Sequence, residues 1–369
     1  MDFGLVLMGY HGCWDDVAFA ERHGFTTAGF VDSPLLAGDP FVCMALAAQA
    51  TEHMRVGTML AIPELRRAPT TASAIAAVNR IAPGRTFLAL GSGFTGRAVF
   101  GMPRLPAALV RDYALECRAL LDGEEVLHKW GRYEQPIRFR HTEGRYVDTE
   151  HHTPVYIAAD GPKALAAAGA AADGLVVSLM YANTMSNAAE VFAGSLASVN
   201  AAAAAADRVI DDLYTMWSIS VCVLEPGESP MSERALEHIG AGAMMPFHGY
   251  ADDPTIAEYL PPPIRDRLDV YEREVLSRFG VPRDRIYQET HRGHLSHLLE
   301  GEAAVLTEEI VRMTTLTGTA EEIADVLRGV RAAGLKNVAF PIPPHLTREV
   351  ILDIETKVKP LLAADAPAL

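Results

Sequence analysis

The sequence predicts a closed (β/α)₈ barrel, the TIM-barrel architecture, with insertions at its C-terminal face. Three observations predict this fold. Eight short apolar runs alternate with helical segments, Gly, Pro or Asp punctuates them, and no linker-like stretch divides the 369 residues. Strands that alternate with helices indicate a parallel sheet, and a count of eight favours a closed barrel over an open, doubly wound sheet.

The eight predicted strands are short apolar runs, as expected of strands that are covered on both faces. The clearest run, V-Y-I-A-A, is bounded by Pro154 and Asp160. In chain order the predicted strands are 3–8, 27–31, 55–62, 86–90, 155–159, 175–179, 214–224 and 337–342.

The helices between these strands are predicted from their start and stop signals. Segment 163–172 is nearly all Ala and Leu, which are strong helix formers, and Asp173-Gly174 ends it. The predicted helices are 14–23, 40–50, 70–81, 106–121, 163–172, 186–206, 309–317 and 320–333.

Two segments exceed the minimum that a barrel needs, and we interpret them as insertions in a single domain over residues 1–369. Segment 128–152 is polar and aromatic, without a clear period, and segment 232–306 contains three consecutive prolines and several histidines. Neither has the composition of a flexible linker between domains. We expect segment 232–306 to cover the barrel mouth and to set specificity.

Composition excludes several classes of function. A net charge of -15 argues against nucleic acid and anionic membranes as partners. The four cysteines are scattered, which suggests neither a disulfide framework nor a zinc cluster. No basic leader or run of roughly 20 apolar residues is evident, so we expect a cytoplasmic protein that acts on a small molecule.

The turn Asp160-Gly161-Pro162-Lys163 is predicted to bind an anion such as a phosphate. Gly161 allows close approach of a ligand, and Pro162 suits the first position of a helix. The amides of that helix start and the Lys163 charge then face the turn. The alternative is an ordinary strand–helix turn that binds nothing.

The stretch Gly91-Ser92-Gly93-Phe94-Thr95-Gly96 matches the G-x-G-x-x-G pattern of dinucleotide-binding proteins. The context disfavours that interpretation, because the pattern follows the fourth strand and the residues after it are not expected to begin a regular helix. In a barrel these glycines lie at the mouth, where they can approach a flat ring or a phosphate. The alternative is a plain glycine turn.

Several side chains are candidates for chemistry at the mouth. Asp32 ends the second strand, where a carboxylate at the barrel mouth favours a function, although it could also be a cap or turn residue before Pro34; His11 follows the first strand and is equally well explained as a loop residue. His294 could move protons near neutral pH, and it belongs to a histidine series spaced by three, with His291 and His297. We predict a surface or pocket-edge cluster and no metal site, because the spacing is unlike that of zinc sites.

An ordered set of short segments carries a resemblance to a known family. The segments are A-E-R-H-G-F (20–25), Asp32, V-G-T-M-L-A-I-P (56–63), P-G-R-T-F-L-A-L-G-S-G (83–93), P-V-Y-I-A-A-D-G-P (154–162), A-D-G-L (172–175) and L-T-G-T-A-E-E-I (316–323). With them the chain resembles the bacterial luciferase-like superfamily, in particular the branch that uses the deazaflavin coenzyme F420, such as methylenetetrahydromethanopterin reductase and F420-dependent glucose-6-phosphate dehydrogenase. The family fold is a (β/α)₈ barrel, and the family leads us to expect a homodimer.

The resemblance implies roles for individual residues. The turn 160–163 and the pair Ser178-Leu179 would hold the cofactor phosphate, and Gly91, Ser92 and Gly93 would lie near the ring or tail. A cis peptide bond between Met59 and Leu60 would support the back of the deazaflavin ring, and Asp32 matches the family's aspartate near that ring.

The chain also departs from these relatives at two positions. Ser33 and Phe94 stand where the sugar-phosphate dehydrogenases have a histidine and a glutamate, so their acid–base pair is missing and neither substrate is carried over. Ser33, Phe94 and Trp217 are then candidates for the substrate pocket, although Trp217 also suits a core position. His11, His294 or Asp32 would supply a replacement proton relay.

We therefore expect an F420-dependent oxidoreductase. One alternative is an FMN-dependent monooxygenase of the same superfamily. A second is a barrel that binds a ligand without catalysis, since a fold alone does not determine function.

Overall fold

The computed structural model describes residues 1–141, 143–179, 182–210 and 212–363. Eight parallel strands close into a barrel with helices between them, which confirms the predicted fold class. Within the described residues the strands are β1 (Asp2–Leu7), β2 (Thr27–Phe30), β3 (Arg55–Thr58), β4 (Thr86–Leu90), β5 (Val126–Trp130), β6 (Tyr133–Ile137), β7 (Val155–Ala158), β8 (Gly174–Val177), β9 (Tyr214–Ser218), β10 (Val221–Val223), β11 (Leu316–Gly318) and β12 (Asn337–Pro341). The barrel order is β1-β12-β9-β8-β7-β4-β3-β2.

The helices follow the same alternation. In the described part of the chain they are α1 (Cys13–Arg22), α2 (Pro40–Ala50), α3 (Ala68–Ile81), α4 (Phe94–Ala98), α5 (Ala107–Leu121), α6 (Pro162–Ala171), α7 (Thr184–Ala205), α8 (Glu233–Ala243), α9 (Met245–Asp252), α10 (Pro262–Arg265), α11 (Leu268–Glu274), α12 (Tyr287–Thr290), α13 (Glu308–Thr314), α14 (Ala320–Ala332), α15 (Thr347–Asp353) and α16 (Lys359–Ala363).

Three predicted elements differ from the structure. The single strand predicted at 214–224 is divided at Ile219-Ser220: β9 belongs to the barrel, whereas β10 pairs in parallel with β11 outside it. The helix predicted at 309–317 ends at Thr314, because β11 begins at Leu316. The strand predicted at 55–62 ends at Thr58, and a short helix, α4, begins at Phe94 inside the G-x-G-x-x-G pattern, while residues 99–106 after it form no helix, as expected.

An aromatic stack closes the amino end of the barrel. The rings of Phe87 and Tyr156 lie 5.4 Å apart and those of Tyr156 and Tyr214 lie 5.6 Å apart, both nearly parallel. The guanidinium of Arg55 lies 4.5 Å from the centre of the Tyr214 ring and donates to the Tyr156 hydroxyl. A cation over aromatic faces is stabilising, and these contacts fill this end of the barrel with packed side chains.

The two predicted insertions are structured differently. Segment 128–152 overlaps an exposed antiparallel hairpin, β5–β6. Segment 232–306 contains α8–α12 and buries a core of its own, in which Phe247, Tyr271 and Ile239 have no exposed surface. Burial of large aromatic side chains supplies most of the stability of such a core.

Helix α7 corrects the expectation that the chain has no apolar stretch of membrane-spanning length. Its 22 residues are long and apolar enough to cross a membrane by length and composition. In this structure α7 packs against α6 and α14 as one of the helices around the barrel.

Candidate functional site

A cavity of about 490 Å³ opens at the carboxyl ends of the barrel strands, and we call it the mouth cavity. In a (β/α)₈ barrel this is the end at which active sites lie. Each of the eight barrel strands, or the residues directly after it, contributes to the lining: Val6, Asp32, Met59, Ser92, Ala158, Val176, Ser218 and Pro341. Segment 232–306 adds the opposite side of the cavity with Gly242, Met245, Pro246, His294 and Leu295.

The floor of the mouth cavity is apolar. Val6, Val31, Met59 and Val176 belong to the buried cluster inside the barrel and line the cavity from below. Gly29 permits the close approach of Met59, because a Cβ at residue 29 would lie 2.6 Å from the Met59 Cβ. Such a floor is suited to the face of a flat, largely apolar ring.

The peptide bond between Met59 and Leu60 is cis, as the resemblance predicts. Both residues line the mouth cavity, as do Ser92 and Gly93. Gly91 lies behind them: a Cβ there would be 2.6 Å from Leu60 Cδ1, so glycine is needed for the packing of the wall.

Asp32 is 3% exposed and is held by an ion pair. Arg66 Nη1 donates to both of its carboxylate oxygens, at 2.8 and 2.7 Å, and a second nitrogen of Arg66 donates to Asp39. Burial raises the pKa of Asp32 above its ordinary value, and the Arg66 charge opposes that rise. The carboxylate therefore lines the cavity as a paired group.

Ser33 and Phe94 both line the mouth cavity. The position of Phe94 is less apolar than its side chain suggests, because the Arg104 guanidinium lies 4.3 Å from the centre of its ring. Arg104 also lines the cavity. Arg104 was not among the predicted site residues, because it lies in an irregular G-M-P-R-L-P segment with no motif around it.

The Asp160 carboxylate occupies donors that were predicted to bind the cofactor phosphate. Its carboxylate accepts hydrogen bonds from the Ser178 and Leu179 amides, at 3.1 and 2.8 Å, and from the Ser178 hydroxyl at 2.6 Å. These amides, which were expected to hold the cofactor phosphate, are thus occupied by the chain's own carboxylate. Burial raises the pKa of Asp160, and these donors oppose the rise.

The start of α6 remains accessible to a ligand. Gly161 lines the cavity with ordinary extended backbone, and a Cβ built on it would meet no atom within 4 Å. Ala164, in the first turn of the helix, also lines the cavity. Pro162 and Lys163 are exposed and lie outside the lining, so Lys163 is not part of the cavity wall.

Two predicted site residues lie away from the mouth cavity. His11 is exposed and its ring packs edge-on against Trp14, at 5.4 Å. Trp217 is fully buried in the core outside the barrel and donates from Nε1 to the Ser178 carbonyl at 3.3 Å. The structure therefore does not bring either residue to the cavity.

The predicted histidine series is divided between the interior and the surface. His291 and His294 are 2% and 5% exposed, whereas His297 is exposed. Helix α12 ends at Thr290, so these histidines lie on turns after it and do not share a helix face. His294 lines the cavity, and its Nε2 lies 3.1 Å from the Thr95 hydroxyl.

A third buried histidine, His248 on α9, completes this cluster. One nitrogen from each of His248, His291 and His294 lies within 4.8 Å of the others. Burial, together with the neighbouring His291 and His248, lowers the pKa of His294 well below its ordinary value. Sequence reasoning missed His248 because no local pattern relates it to residues more than 40 positions away.

Together these features form a site with an apolar floor and polar walls. The floor can hold a flat ring, Arg104 and the start of α6 can attract a negative group, and Asp32 and His294 can exchange hydrogen bonds with a bound molecule. Such a site can position two molecules against each other and exclude water between them.

Comparison with known proteins identifies similar sequences. The family model described as luciferase-like monooxygenase matches residues 10–337. The chain is 28% identical over 166 residues to a 5,10-methylenetetrahydromethanopterin reductase of Methanolobus tindarius, covering 44% of this chain and 48% of the relative. It is 30% identical over 201 residues to an F420-dependent glucose-6-phosphate dehydrogenase of Beutenbergia cavernae, covering 53% and 55%. The chain thus spans about half the length of these curated relatives.

A solved structure shares the fold over nearly its whole length. The coenzyme F420-dependent tetrahydromethanopterin reductase from Methanopyrus kandleri superposes with a TM-score of 0.67 and 19% identity, covering 97% of this chain and 98% of that one. At this identity the similarity supports the fold alone.

Proposed function

The chain belongs to the luciferase-like monooxygenase family, and from that premise we propose that it is an oxidoreductase that transfers a hydride between the deazaflavin coenzyme F420 and a small organic substrate. The names of the relatives that it resembles support the choice of cofactor. The observation that carries the proposal is the mouth cavity, whose apolar floor lies beside polar walls. When bound, F420 supplies or accepts the hydride through its ring.

The residues of the cavity fit such a cofactor in a modified way. The ring would lie over the floor formed by Val31, Met59 and Val176, beside Ser92 and Gly93. The negatively charged tail would lie at Gly161 and the start of α6, with Arg104 in reach of the same cavity. The Ser178 and Leu179 amides would not bind it, because Asp160 already accepts from them.

Asp32 is our candidate for holding the proton that accompanies the hydride. It is buried at the cavity wall, and its pKa is raised by burial, so its protonation can respond to a ligand. Ser33 and Phe94 would contact the substrate, and His294 would face it from segment 232–306. His11 and Trp217 have no part in this proposal.

The proposal is tested by titrating the purified protein with F420 and, separately, with FMN while following fluorescence quenching. We expect F420 to bind at least about tenfold more tightly, equivalent to about 1.4 kcal/mol. The family also contains monooxygenases, and tight FMN with weak F420 would support that activity instead. Binding of neither would favour a barrel that binds another ligand without catalysis.

A substitution at Gly161 tests where the cofactor binds. Gly161→Trp places an indole in open space at the cavity wall, so F420 affinity should fall by about tenfold or more while the fold persists. Gly194→Trp is the matched control, because residue 194 is also open but lies on the exposed face of α7. Equal affinities in the two variants would remove Gly161 from the cofactor site.

We also propose a cytoplasmic homodimer, as the family resemblance implies. Val42 and Leu46, one turn apart on α2, are 59% and 37% exposed and would suit a contact between two copies. Light scattering after size exclusion measures the oligomer, and a monomer at every concentration would contradict this part.

A further inference from the structure

Three histidines from two parts of segment 232–306 converge in the interior. His248 comes from α9, and His291 and His294 come from the turns that follow α12. Their side chains are at most 5% exposed, and one nitrogen of each lies within 4.8 Å of the others. Imidazole nitrogens are preferred ligands of zinc and related divalent metals.

Two of these histidines are oriented by carboxylates. His248 Nε2 lies 2.7 Å from Glu302, a residue without exposed surface, and His291 Nε2 lies 2.9 Å from Asp252. Glu302 is itself fixed, since its other oxygen accepts from the Leu299 amide at 2.7 Å. A carboxylate that accepts from one ring nitrogen, so that the other nitrogen can bind a metal, is the usual second partner of a metal-binding histidine.

The remaining nitrogens of the same two rings have no partner in the part of the chain that the structure describes. Nδ1 of His248 and Nδ1 of His291 are buried and make no hydrogen bond among the described residues. If a ring is charged, its Nδ1–H is a buried donor without an acceptor. If a ring is neutral, the carboxylate beside it is left without a compensating charge. A cation bound to both Nδ1 atoms removes both costs.

We propose that His248, His291 and His294 bind a divalent transition-metal ion of the Zn²⁺ type at the wall of the mouth cavity. Three histidine ligands leave a fourth position of the tetrahedron for water or substrate. His294 and its partner Thr95 both line the cavity, so that position can communicate with a bound molecule. Ring rotations that shorten the separations toward the roughly 3.3 Å of a tetrahedral site would accompany binding.

The metal ligands differ from the residues proposed to hold F420, and only His294 is shared with the proposed substrate side of the cavity. The hydride transfer proposed above needs no metal, and the floor of the cavity contributes none of these ligands. Metal binding is therefore measured on the full chain without F420, and its outcome is independent of the proposed activity.

The test uses protein that has been stripped with a chelator and dialysed against ZnCl₂ or CoCl₂. We expect one metal ion per chain by elemental analysis, visible absorption of a tetrahedral Co²⁺ site, and a higher melting temperature with Zn²⁺. His294→Ala should lose the bound metal, whereas His297→Ala, a change at the exposed neighbour in the same turns, should keep it. Glu302→Gln should lower the affinity by about 10–100-fold, because it weakens the partner of His248.

The proposal is overturned if stripped wild-type protein takes up less than about one tenth of an equivalent of either metal at 100 µM. It is equally overturned if His294→Ala and His297→Ala bind the metal alike, since the ligands must then lie elsewhere. The wild-type Co²⁺ spectrum and the His297→Ala control remain informative even if one of the ligand variants fails to fold.

Discussion

The two sides of the mouth cavity differ in whether their buried polar groups have hydrogen-bond or ion-pair partners. On the barrel side, Asp32 is paired with Arg66, and Asp160 accepts from the amides and hydroxyl that surround it. On the side formed by segment 232–306, His248 and His291, which lie next to the lining residue His294, each keep a buried nitrogen that has no partner among the residues the structure describes. The two carboxylates on the barrel side thus have partners within the chain, whereas the two histidine nitrogens on the opposite side are available to bind a ligand.

This difference separates two kinds of contribution to a site. A satisfied polar group fixes the shape of a cavity, whereas an unsatisfied one offers a bond to whatever enters it. We therefore expect the barrel side to position the cofactor and to supply Asp32 for the accompanying proton, and segment 232–306 to contribute direct metal ligands. Three changes test the comparison, in decreasing order of expected effect.

The largest effect is expected for Arg66→Ala. Removal of the guanidinium leaves Asp32 buried without a counter-charge, which costs about 3 kcal/mol of unfolding free energy. Denaturant unfolding at neutral pH measures it, and adding Asp32→Asn to the same chain should restore much of the loss. Arg111→Ala removes an exposed Arg–Asp pair and should cost less than about 1 kcal/mol. Equal losses in the two single variants would show that the barrel side is not held by its buried pair.

An intermediate effect is expected for Asp160→Asn. The substitution removes a negative charge from the cavity wall, so F420, which is anionic, should bind a few-fold more tightly, equivalent to about 1 kcal/mol. The same fluorescence titration measures it. Weaker binding would mean that the Asp160 carboxylate or the order of the Ser178 amide supports the cofactor directly.

The Asp160 variant also has a predicted pH dependence. Because the pKa of Asp160 is raised in the folded protein, its contribution to stability is fully present below its ordinary value of 3.8 and is lost as the pH rises through the folded pKa. The unfolding free energy of the wild type, relative to Asp160→Asn, should therefore fall as the pH increases from about 4. If the unfolding free energies of the wild type and Asp160→Asn differed by the same amount at every pH above about 4, the raised pKa of Asp160 would be contradicted.

The smallest effect is expected for the partly exposed ion pair between Glu228 and Arg234, where segment 232–306 begins. Arg234 binds Glu228 and lowers the pKa of that carboxyl to about 2. This pair stabilises the fold above the ordinary carboxyl value of 4.5, and the contribution is lost as the pH falls through about 2. Glu228→Gln should therefore cost about 0.5–1 kcal/mol at neutral pH and nothing at the acid limit, as measured by unfolding at several pH values. If Glu228→Gln lost as much unfolding free energy as Arg66→Ala, the expected difference between partly exposed and buried ion pairs would be contradicted.

Local patterns were sufficient to predict the barrel. All eight barrel strands lie within a few residues of the predicted segments, and α2 has the predicted bounds, because burial on both faces and helix stop signals are written in neighbouring residues. The division of 214–224 was missed because an apolar run does not reveal which of its residues pair with β12 and which with β11.

The polar contacts of the site were harder to predict, because they join residues that are distant in the chain. The Asp160 carboxylate accepts hydrogen bonds from the amides of Ser178 and Leu179, which are 18 and 19 positions away. His248 reaches Glu302 across 54 positions. Such pairings are made by tertiary packing, and no periodicity or motif in one sequence encodes them.

The aromatic stack of Phe87, Tyr156 and Tyr214 has a consequence for the route by which ligands bind and leave. Because packed rings fill the amino end of the barrel, a ligand enters and leaves the interior of the described barrel from the carboxyl ends of the strands. When two ligands occupy the cavity together, the one nearer the amino end of the barrel has to bind first and dissociate last. The order of binding and release then follows from the fold.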